Sequence, residues 1–316
     1  MSRKVLVTGG AGFVGSHVAD AYLAAGDDVT VLDDLSTGRR ENVPHGVRLV
    51  QADIRSPEAR ELVARGGFSL VNHHAAQMDV RRSVADPLFD AGVNVIGLLN
   101  VLEGARAGGV TRMVFASSGG VVYGERGPFP LIETAPKLPV SPYGTAKLAS
   151  EYYLATYARL FGLEVVALRY SNVYGPRQRA DGEAGVVAIF GRRLLRGEPL
   201  TIFGDGEQTR DMVYVKDVAA ANLAASARPI TPGADGIDGS AFNVGTGVET
   251  SVNRLAELLA AAAGRRLVAN HAPARPGELQ RSVLAVDQAA RALEWRPRTA
   301  LAQGLHETLQ FLAEDY

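Results

Sequence analysis

Three side chains in the first half of the chain have the types and spacing to share one reaction. Ser118 closes a short apolar run (Met113, Val114, Phe115), and Tyr143 and Lys147 follow within SPYGTAK, residues 141–147. Tyr143 and Lys147 stand four apart, so on a helix both project from one face. A nearby ammonium favours the phenolate and lowers the tyrosine pKa, which lets a tyrosine act as general base near neutral pH. A serine hydroxyl at a strand end holds the same substrate oxygen or relays its proton. Taken alone, a tyrosine and a lysine at this spacing are as readily an exposed helix face, so the elements around them must decide. The residues after Ser118 are Gly119 and Gly120, and no acid stands beside the serine.

The glycine-rich stretch VLVTGGAGFVG, residues 5–15, places Gly9, Gly12 and Gly15 three apart between an expected strand and an expected helix. The first glycine permits a tight turn, the second close approach to a pyrophosphate, and the third close packing of helix on strand. The helix start then offers free N–H groups and a positive dipole end to phosphates. A second strand ends at Asp33, 18 residues after Gly15. An acid there hydrogen-bonds adenosine ribose hydroxyls and repels a 2′-phosphate, which points to NAD. Arg39 and Arg40, six and seven residues on, leave NADP open. Asp53-Ile54 follows the third strand, where it meets either the adenine edge or solvent. Ala75 and Ala76 follow the fourth, where small residues let backbone lie against a cofactor.

The elements that must position these residues alternate. Strands are expected at Lys4–Thr8, Val29–Asp33, Val47–Ala52, Leu70–His74, Arg112–Ser117 and Glu164–Tyr170, with helices at Gly12–Ala25, Pro57–Arg65, Pro87–Gly108 and Pro142–Phe161. Such βα alternation predicts an α/β fold, a Rossmann-type doubly wound parallel sheet with right-handed crossovers. After Asn172 the pattern breaks into shorter elements among Gly- and Pro-bearing loops, 175–185 and 227–239. Residues 1–172 therefore read as the dinucleotide-binding domain, with later returns near 212–246, and 173–316 mainly as a smaller α/β substrate lobe. Further helices are expected near Val186–Arg196, Val215–Ser226, Ser251–Ala263, Val286–Leu293 and Leu301–Leu312, and a strand at Leu200–Phe203.

Composition narrows the function classes. The 316 residues are 47% hydrophobic, enough for a sizeable core, and the formal net charge is −1, which gives no support for a nucleic-acid or anionic-membrane partner. There is no cysteine, which excludes disulfides, thiolate catalysis and cysteine metal sites. The N-terminus MSRKVLVTGG does not read as a signal peptide, and no apolar stretch reads as membrane-spanning. A cytoplasmic protein is expected. The six histidines show no ligand spacing, no metal site is expected, and His73 and His74 should point to opposite faces of a strand.

GGAGFVGSH, VLDDLSTG, HHAAQ, FASSGGVVYGE, SPYGTAK, LRYSNVYGPRQ, FGDGEQTRDMVYVKDVA, FNVGTG and RPGEL, taken in this order over nearly the whole chain, resemble the extended short-chain dehydrogenase/reductase family, in particular its NAD-dependent UDP-glucose (UDP-galactose) 4-epimerases. The resemblance implies that Tyr143 removes the sugar 4-hydroxyl proton, that Lys147 binds the nicotinamide ribose and tunes Tyr143, and that Ser118 holds the 4-oxygen. It implies cofactor contacts at Gly9, Gly12, Phe13, Val14, Asp33, Asp34, Asp53, Ile54, Ala75, Ala76, Gln77, Asn94, Lys147 and Tyr170. Asn172, Arg210 and Arg275 would hold the UDP phosphates, Val187 and Phe203 would wall the nucleotide pocket, and Ser282 would stand beside the sugar 2-substituent. Arginine suits phosphate because its planar fork bonds oxygens in pairs. Related dehydratases and decarboxylases carry an acid after the strand-end hydroxyl, so Gly119 and Gly120 favour redox at C4 without elimination. The sugar stays open between UDP-glucose, UDP-N-acetylglucosamine and UDP-glucuronate, and a dehydratase, decarboxylase or net reductase is the alternative reading. For a C6 carboxylate, Gln77, Arg81 and Ser83 are the nearby donors in sequence. The resemblance also implies a homodimer through a four-helix bundle, with Leu98, Leu99, Leu102, Leu154, Tyr157 and Leu160 as apolar material.

Overall fold

A computed structural model describes residues 2–125, 127–179, 185–229, 236–275 and 279–314. Parts of the loops expected at 175–185 and 227–239, and the centre of RPGEL, lie outside the described residues.

Among the described residues twelve strands occur in chain order: β1 (Lys4–Thr8), β2 (Asp28–Asp33), β3 (Arg48–Gln51), β4 (Leu70–His73), β5 (Arg112–Ser118), β6 (Glu164–Tyr170), β7 (Asn172–Tyr174), β8 (Leu200–Phe203), β9 (Thr209–Tyr214), β10 (Ala241–Val244), β11 (Glu249–Ser251) and β12 (Ala269–Ala272). Seven form one parallel sheet in the order β10-β6-β5-β4-β1-β2-β3. Strand order reverses between β1 and β4. That switch point opens a crevice at the carboxyl ends of the strands, where ligands of doubly wound sheets collect.

The sheet is covered on both faces, so its strands read as nearly continuous apolar runs. Alternate residues serve opposite layers. Val5 and Val7 pack with Val18 and Tyr22 of the Phe13–Ala24 helix and with Val218 and Ala221 of the Val215–Ala227 helix. Leu6, Val71, Met113 and Phe115 pack against Val63, Leu102 and Leu154 of the Pro57–Arg65, Leu98–Gly108 and Pro142–Phe161 helices. Each such fully buried side chain stabilises the fold by roughly 1.5–3 kcal/mol.

Pro87–Gly108 is one continuous run of helix, but its middle turn, Gly92–Gly97, is a π-turn. Over its 22 residues it is long and apolar enough to cross a membrane by length and composition, contrary to the sequence expectation. Leu98, Val101, Leu102 and Ala105 bury it in the sheet core, and it carries buried Asp90 and Asn94, so it is a core helix.

A second core holds the smaller lobe: Tyr174, Val187, Phe190, Leu200, Ile202, Met212, Leu255, Leu259, Leu305 and Leu309. Its strand β8 was expected at these bounds, but the pairings were not. β9 pairs antiparallel with β11 and parallel with β7, and β8 pairs with β12. These strands run three to six residues, and TRDMVY, ETS and ANHA carry too much polar character to show a two-residue period. The same non-local character hid β10, which adds the seventh strand beside β6, more than 70 residues away in the chain.

Candidate active site

The glycine turn sits directly over the switch point. Gly9 has φ +68°, and a Cβ there would stand 2.5 Å from the Ala75 backbone nitrogen. A Cβ on Gly15 would stand 2.2 Å from the Gly9 carbonyl oxygen, so the helix packs on the turn at a distance only glycine permits. Gly12 is the N-cap of the Phe13–Ala24 helix, without a side-chain cap or an acid in the first turn. The first N–H groups of a helix have no intrahelical partner, and here nothing negative competes for them. A Cβ on Gly12 would approach only the Gly9 oxygen, at 3.2 Å. This cradle, with small Ala75 across the crevice, fits the diphosphate of a dinucleotide. Phe13 packs its side chain against the smaller lobe's core and Val14 against both cores.

Asp33 ends β2, buried, and accepts the N–H groups of Ala11 and Leu35 at 2.9 Å each. Burial pushes its carboxyl above the ordinary range, and those two N–H groups counteract. Asp33 therefore holds the glycine turn as well as facing it. Asp34 is not brought into the group: it is exposed and bonded to Ser36. Asp53 is paired with Arg55 at 2.5 Å beyond β3, and Ile54 is buried beneath Gly97.

Beyond β4, Gln77 and Asn94 exchange hydrogen bonds: the Gln77 N–H donates to Asn94 Oδ1 at 3.0 Å and Asn94 Nδ2 donates to the Gln77 carbonyl at 2.9 Å. Asn94 lies in the π-turn, an irregularity frequent at functional sites. Tyr170, at the end of β6, is buried, and its hydroxyl is engaged with Asn222 and with His74 Nε2 at 3.1 Å. His73 stacks on Phe115 and His74 on Tyr170, in the two separate cores, so the pair does diverge.

Ser118 ends β5, and Tyr143 and Lys147 sit on the first turns of the Pro142–Phe161 helix. That helix starts where Ser141 caps the Gly144 N–H with Pro142 behind it, and stops at Gly162 in the left-handed region. Lys147 is buried. Its Nζ donates to the Ala116 carbonyl at 2.9 Å and lies 4.7 Å from the Phe115 ring centroid and 5.8 Å from that of Tyr143. Burial pulls its pKa down to about 8, while Asp90 and Glu151 work upward. The Tyr143 phenol departs from expectation: burial pushes it up, and the charge of Asp90 adds to that. Desolvation outweighs the ammonium in the protein alone. A Cβ on Gly119 would strike Leu284 at 2.5 Å, whereas one on Gly120 would meet nothing nearer than Ser118 Oγ at 3.8 Å. The space beside the serine is therefore open.

In the smaller lobe, Asn172 is exposed at the start of β7, and Arg210 on β9 donates to the Thr209 carbonyl at 2.8 Å. The Arg275 guanidinium lies 3.9 Å over the Phe203 ring, which brings those two together. Val187 is buried in the lobe core. Ser282 is buried, and its carbonyl accepts the Asp211 N–H at 2.8 Å.

Sequence reasoning missed three buried acids that organise this site. Asp211 accepts N–H groups from Thr246, Gly247 and Leu284 and the Thr246 hydroxyl, joining β9, the FNVGTG loop and the strip that follows Ser282. Glu151, one turn after Lys147, accepts from Ser117 Oγ and from fully buried Arg169, which also pairs with Asp238. Asp90 accepts from Gln77 and Asn94. The available signal was an acid inside an apolar helical stretch, PLFDAGVNV and LASEYYL.

A model of the NAD dependent epimerase/dehydratase family matches residues 5–245. The chain is 45% identical over 313 residues to the UDP-glucose 4-epimerase of Mycolicibacterium smegmatis, with 98% of each chain covered. It superposes on a UDP-glucose 4-epimerase of Thermotoga maritima solved with UDP-glucose, at TM-score 0.94 and 43% identity, covering 99% of each chain. It superposes likewise on the Thermus thermophilus UDP-glucose 4-epimerase in complex with NAD, at TM-score 0.90 and 44% identity, covering 99% of this chain and 100% of the other. The chain belongs to the NAD-dependent epimerase/dehydratase family. Within it, this is an epimerase-type enzyme with NAD as its cofactor.

Proposed function

We propose that the enzyme interconverts the C4 epimers of a UDP-hexose, UDP-glucose and UDP-galactose first among them. The observation that carries this reading is the open space at Gly120 beside Ser118, at the carboxyl end of β5, where the Lys147 Nζ reaches the Ala116 carbonyl. Base, hydroxyl and lysine are present, and the acid that elimination needs is not in that position. Bound in the crevice, NAD supplies reversible hydride chemistry at C4. Ser118 holds the 4-oxygen, and Tyr143 takes its proton as C4 becomes a ketone. The 4-keto sugar turns about its phosphate link, and Tyr143 returns the proton to the inverted hydroxyl. Lys147 keeps a positive charge beside the phenol, and the positive charge of oxidised nicotinamide adds to it, against the burial that raises the phenol. Gly9, Gly12, the first-turn backbone at Phe13 and Val14, Asp33 and Ala75 hold the cofactor. Arg210, Arg275, Phe203 and Asn172 hold the UDP end.

Two features bear on the sugar. Ser282 is small, which leaves room for a 2-acetamido group. Ser83 Oγ donates to the Val80 carbonyl, Gln77 Nε2 donates to the Asp79 carbonyl and to Asp90, and Arg81 is also engaged, so none of the three is free for a C6 carboxylate, which favours neutral hexoses over glucuronate.

We place the enzyme in the cytoplasm as a homodimer, through a face that differs from the sequence expectation. Leu98, Leu102, Leu154 and Tyr157 are buried in the monomer and Leu99 packs on the same core; of the six, only Leu160 is exposed. The exposed apolar set on the two helices is Leu88, Ile96, Tyr152, Tyr153, Leu160 and Phe161. A monodisperse monomer by light scattering would remove the dimer.

The test is incubation with UDP-glucose, UDP-N-acetylglucosamine and UDP-glucuronate separately, with no added cofactor, read by proton NMR of the H4 and anomeric signals. The 4-epimer is expected, fastest from a neutral hexose. A pentose, an accumulated keto-sugar or a need for added NAD(P)H would overturn the reading. Tyr143→Phe should lose about 10²–10⁴-fold in kcat with the fold intact.

A further inference from the structure

Asp90 is buried at 1% exposure in the Pro87–Ala91 turn, immediately before the π-turn, and its helix packs against Pro142–Phe161. Its Oδ1 accepts two amide N–H groups, from Gln77 Nε2 at 2.9 Å and Asn94 Nδ2 at 3.0 Å. Its Oδ2 is buried without a hydrogen-bond partner. Burial pushes its carboxyl above the ordinary range, while the two donated amides and the charge of Lys147 favour the anion; among the described residues no cation is ion-paired with it.

Lys147 has the complementary deficiency. It is buried at 4% exposure, and its Nζ has one protein hydrogen bond, to Ala116, and two ring faces. A buried ammonium needs a compensating charge. Two acids act on it, Asp90 and Glu151. Glu151 is already neutralised by Arg169, which donates to both of its oxygens. Asp90 is the one left uncompensated.

Resting on the epimerase reading, we propose that Asp90 is the counter-charge of the Tyr143–Lys147 pair: a positioning residue that keeps the ammonium on Lys147 and keeps the Tyr143 proton from leaving before a substrate is bound. The helix of Asp90 packs on the helix that carries both partners, and its charge works to raise Lys147 and Tyr143 alike. The other charged or titratable groups on the packed elements are occupied elsewhere. Asp79 caps Arg82, the Arg82 guanidinium lies over Phe89 at 4.0 Å with Arg55 on the same ring at 5.4 Å, and Arg81 is exposed. His73 and His74 are held neutral by burial, with pKa values of about 3.

Removing a negative charge lowers the pKa of a neighbouring phenol and of a neighbouring ammonium. Asp90→Asn keeps size and acceptor. It should therefore move both limbs of the kcat–pH profile toward acid by about one unit. A merely structural role would lower kcat at every pH and leave the limbs where they are.

The deciding readout does not depend on turnover. The phenolate band of purified protein carrying its own NAD is titrated in the near ultraviolet, with the matching Tyr143→Phe protein subtracted as blank. The Tyr143 transition should fall by about one pH unit in Asp90→Asn. An unmoved transition overturns the proposal. Should the variant not fold, carbon-13 NMR of labelled aspartate in the unmodified protein decides: an ionised Asp90 carboxyl at neutral pH is expected, and a protonated one overturns it. If the unmodified protein epimerises no UDP-hexose, the functional reading fails, while these two titrations still report on Asp90 itself.

Discussion

The two halves of the molecule hold their functional groups by different means. The nucleotide half relies on local backbone geometry. Gly9 in the left-handed region, Gly15 against the Gly9 carbonyl and Gly12 at a helix start all lie within seven consecutive residues. The smaller lobe relies on a buried carboxylate that gathers distant segments: Asp211 receives N–H groups from positions 35, 36 and 73 residues away. Local geometry is encoded where it is used, whereas a gathered site exists only once the chain has folded around its organiser. Damage should therefore spread differently in the two halves.

The largest effect is expected at Asp211. Replacement by Ala leaves three N–H groups and a hydroxyl without their acceptor, at about 1–3 kcal/mol for each buried group left unpartnered. Denaturant unfolding should show a loss above about 3 kcal/mol, and calorimetry should show UDP-sugar binding lost while NAD is retained. Loss of both ligands together would break the contrast.

Gly9→Ala comes next. Its Cβ would press on the Ala75 backbone at 2.5 Å, in a conformation L residues rarely adopt. Strain of this kind costs about 1–3 kcal/mol. The purified variant should carry less NAD, measured by acid release, yet keep its UDP affinity.

A third effect concerns pH and three buried histidines of the nucleotide half. His17 is held to about 4, and His73 and His74 to about 3, in each case first by burial. The unfolded chain takes up these protons near pH 6.5. More protons bound on unfolding means stability falls as pH drops, so the loss should begin below about pH 6.5 and continue down to the folded values. The slope of unfolding free energy near pH 5 should correspond to uptake of up to about three protons. A flat profile between pH 7 and 5 would contradict the buried neutral state of all three.

The same contrast explains what could be read from the chain. The Pro142–Phe161 helix was legible to the residue because its cap Ser141, its first-turn Pro142 and its stop at Gly162 are local signals. So was the crevice, because Gly9, Gly12, Gly15 and Asp33 occur at a spacing that one βαβ unit imposes. β7, β9 and β11 were not, since their partners lie far along the chain. Asp211 escaped for the same reason, since its surroundings and not its neighbours in sequence make it significant, and Asp90 left only the mark of an acid in an apolar helical stretch. Which apolar stripe faces outward was misread, because apolar residues on a helix do not reveal which stripe faces the monomer's own sheet. Leu98 and Leu102 face inward, and Leu88 and Ile96 face out.

We propose that C4 is oxidised and reduced within one site by a cofactor that never leaves. UDP-glucose deuterated at C4 tests it most directly. Incubated with the purified protein in ordinary water without added NAD, it should give UDP-galactose that keeps deuterium at C4. Product whose C4 deuterium has been replaced by solvent hydrogen would contradict the claim, because the hydrogen would then have left as a proton.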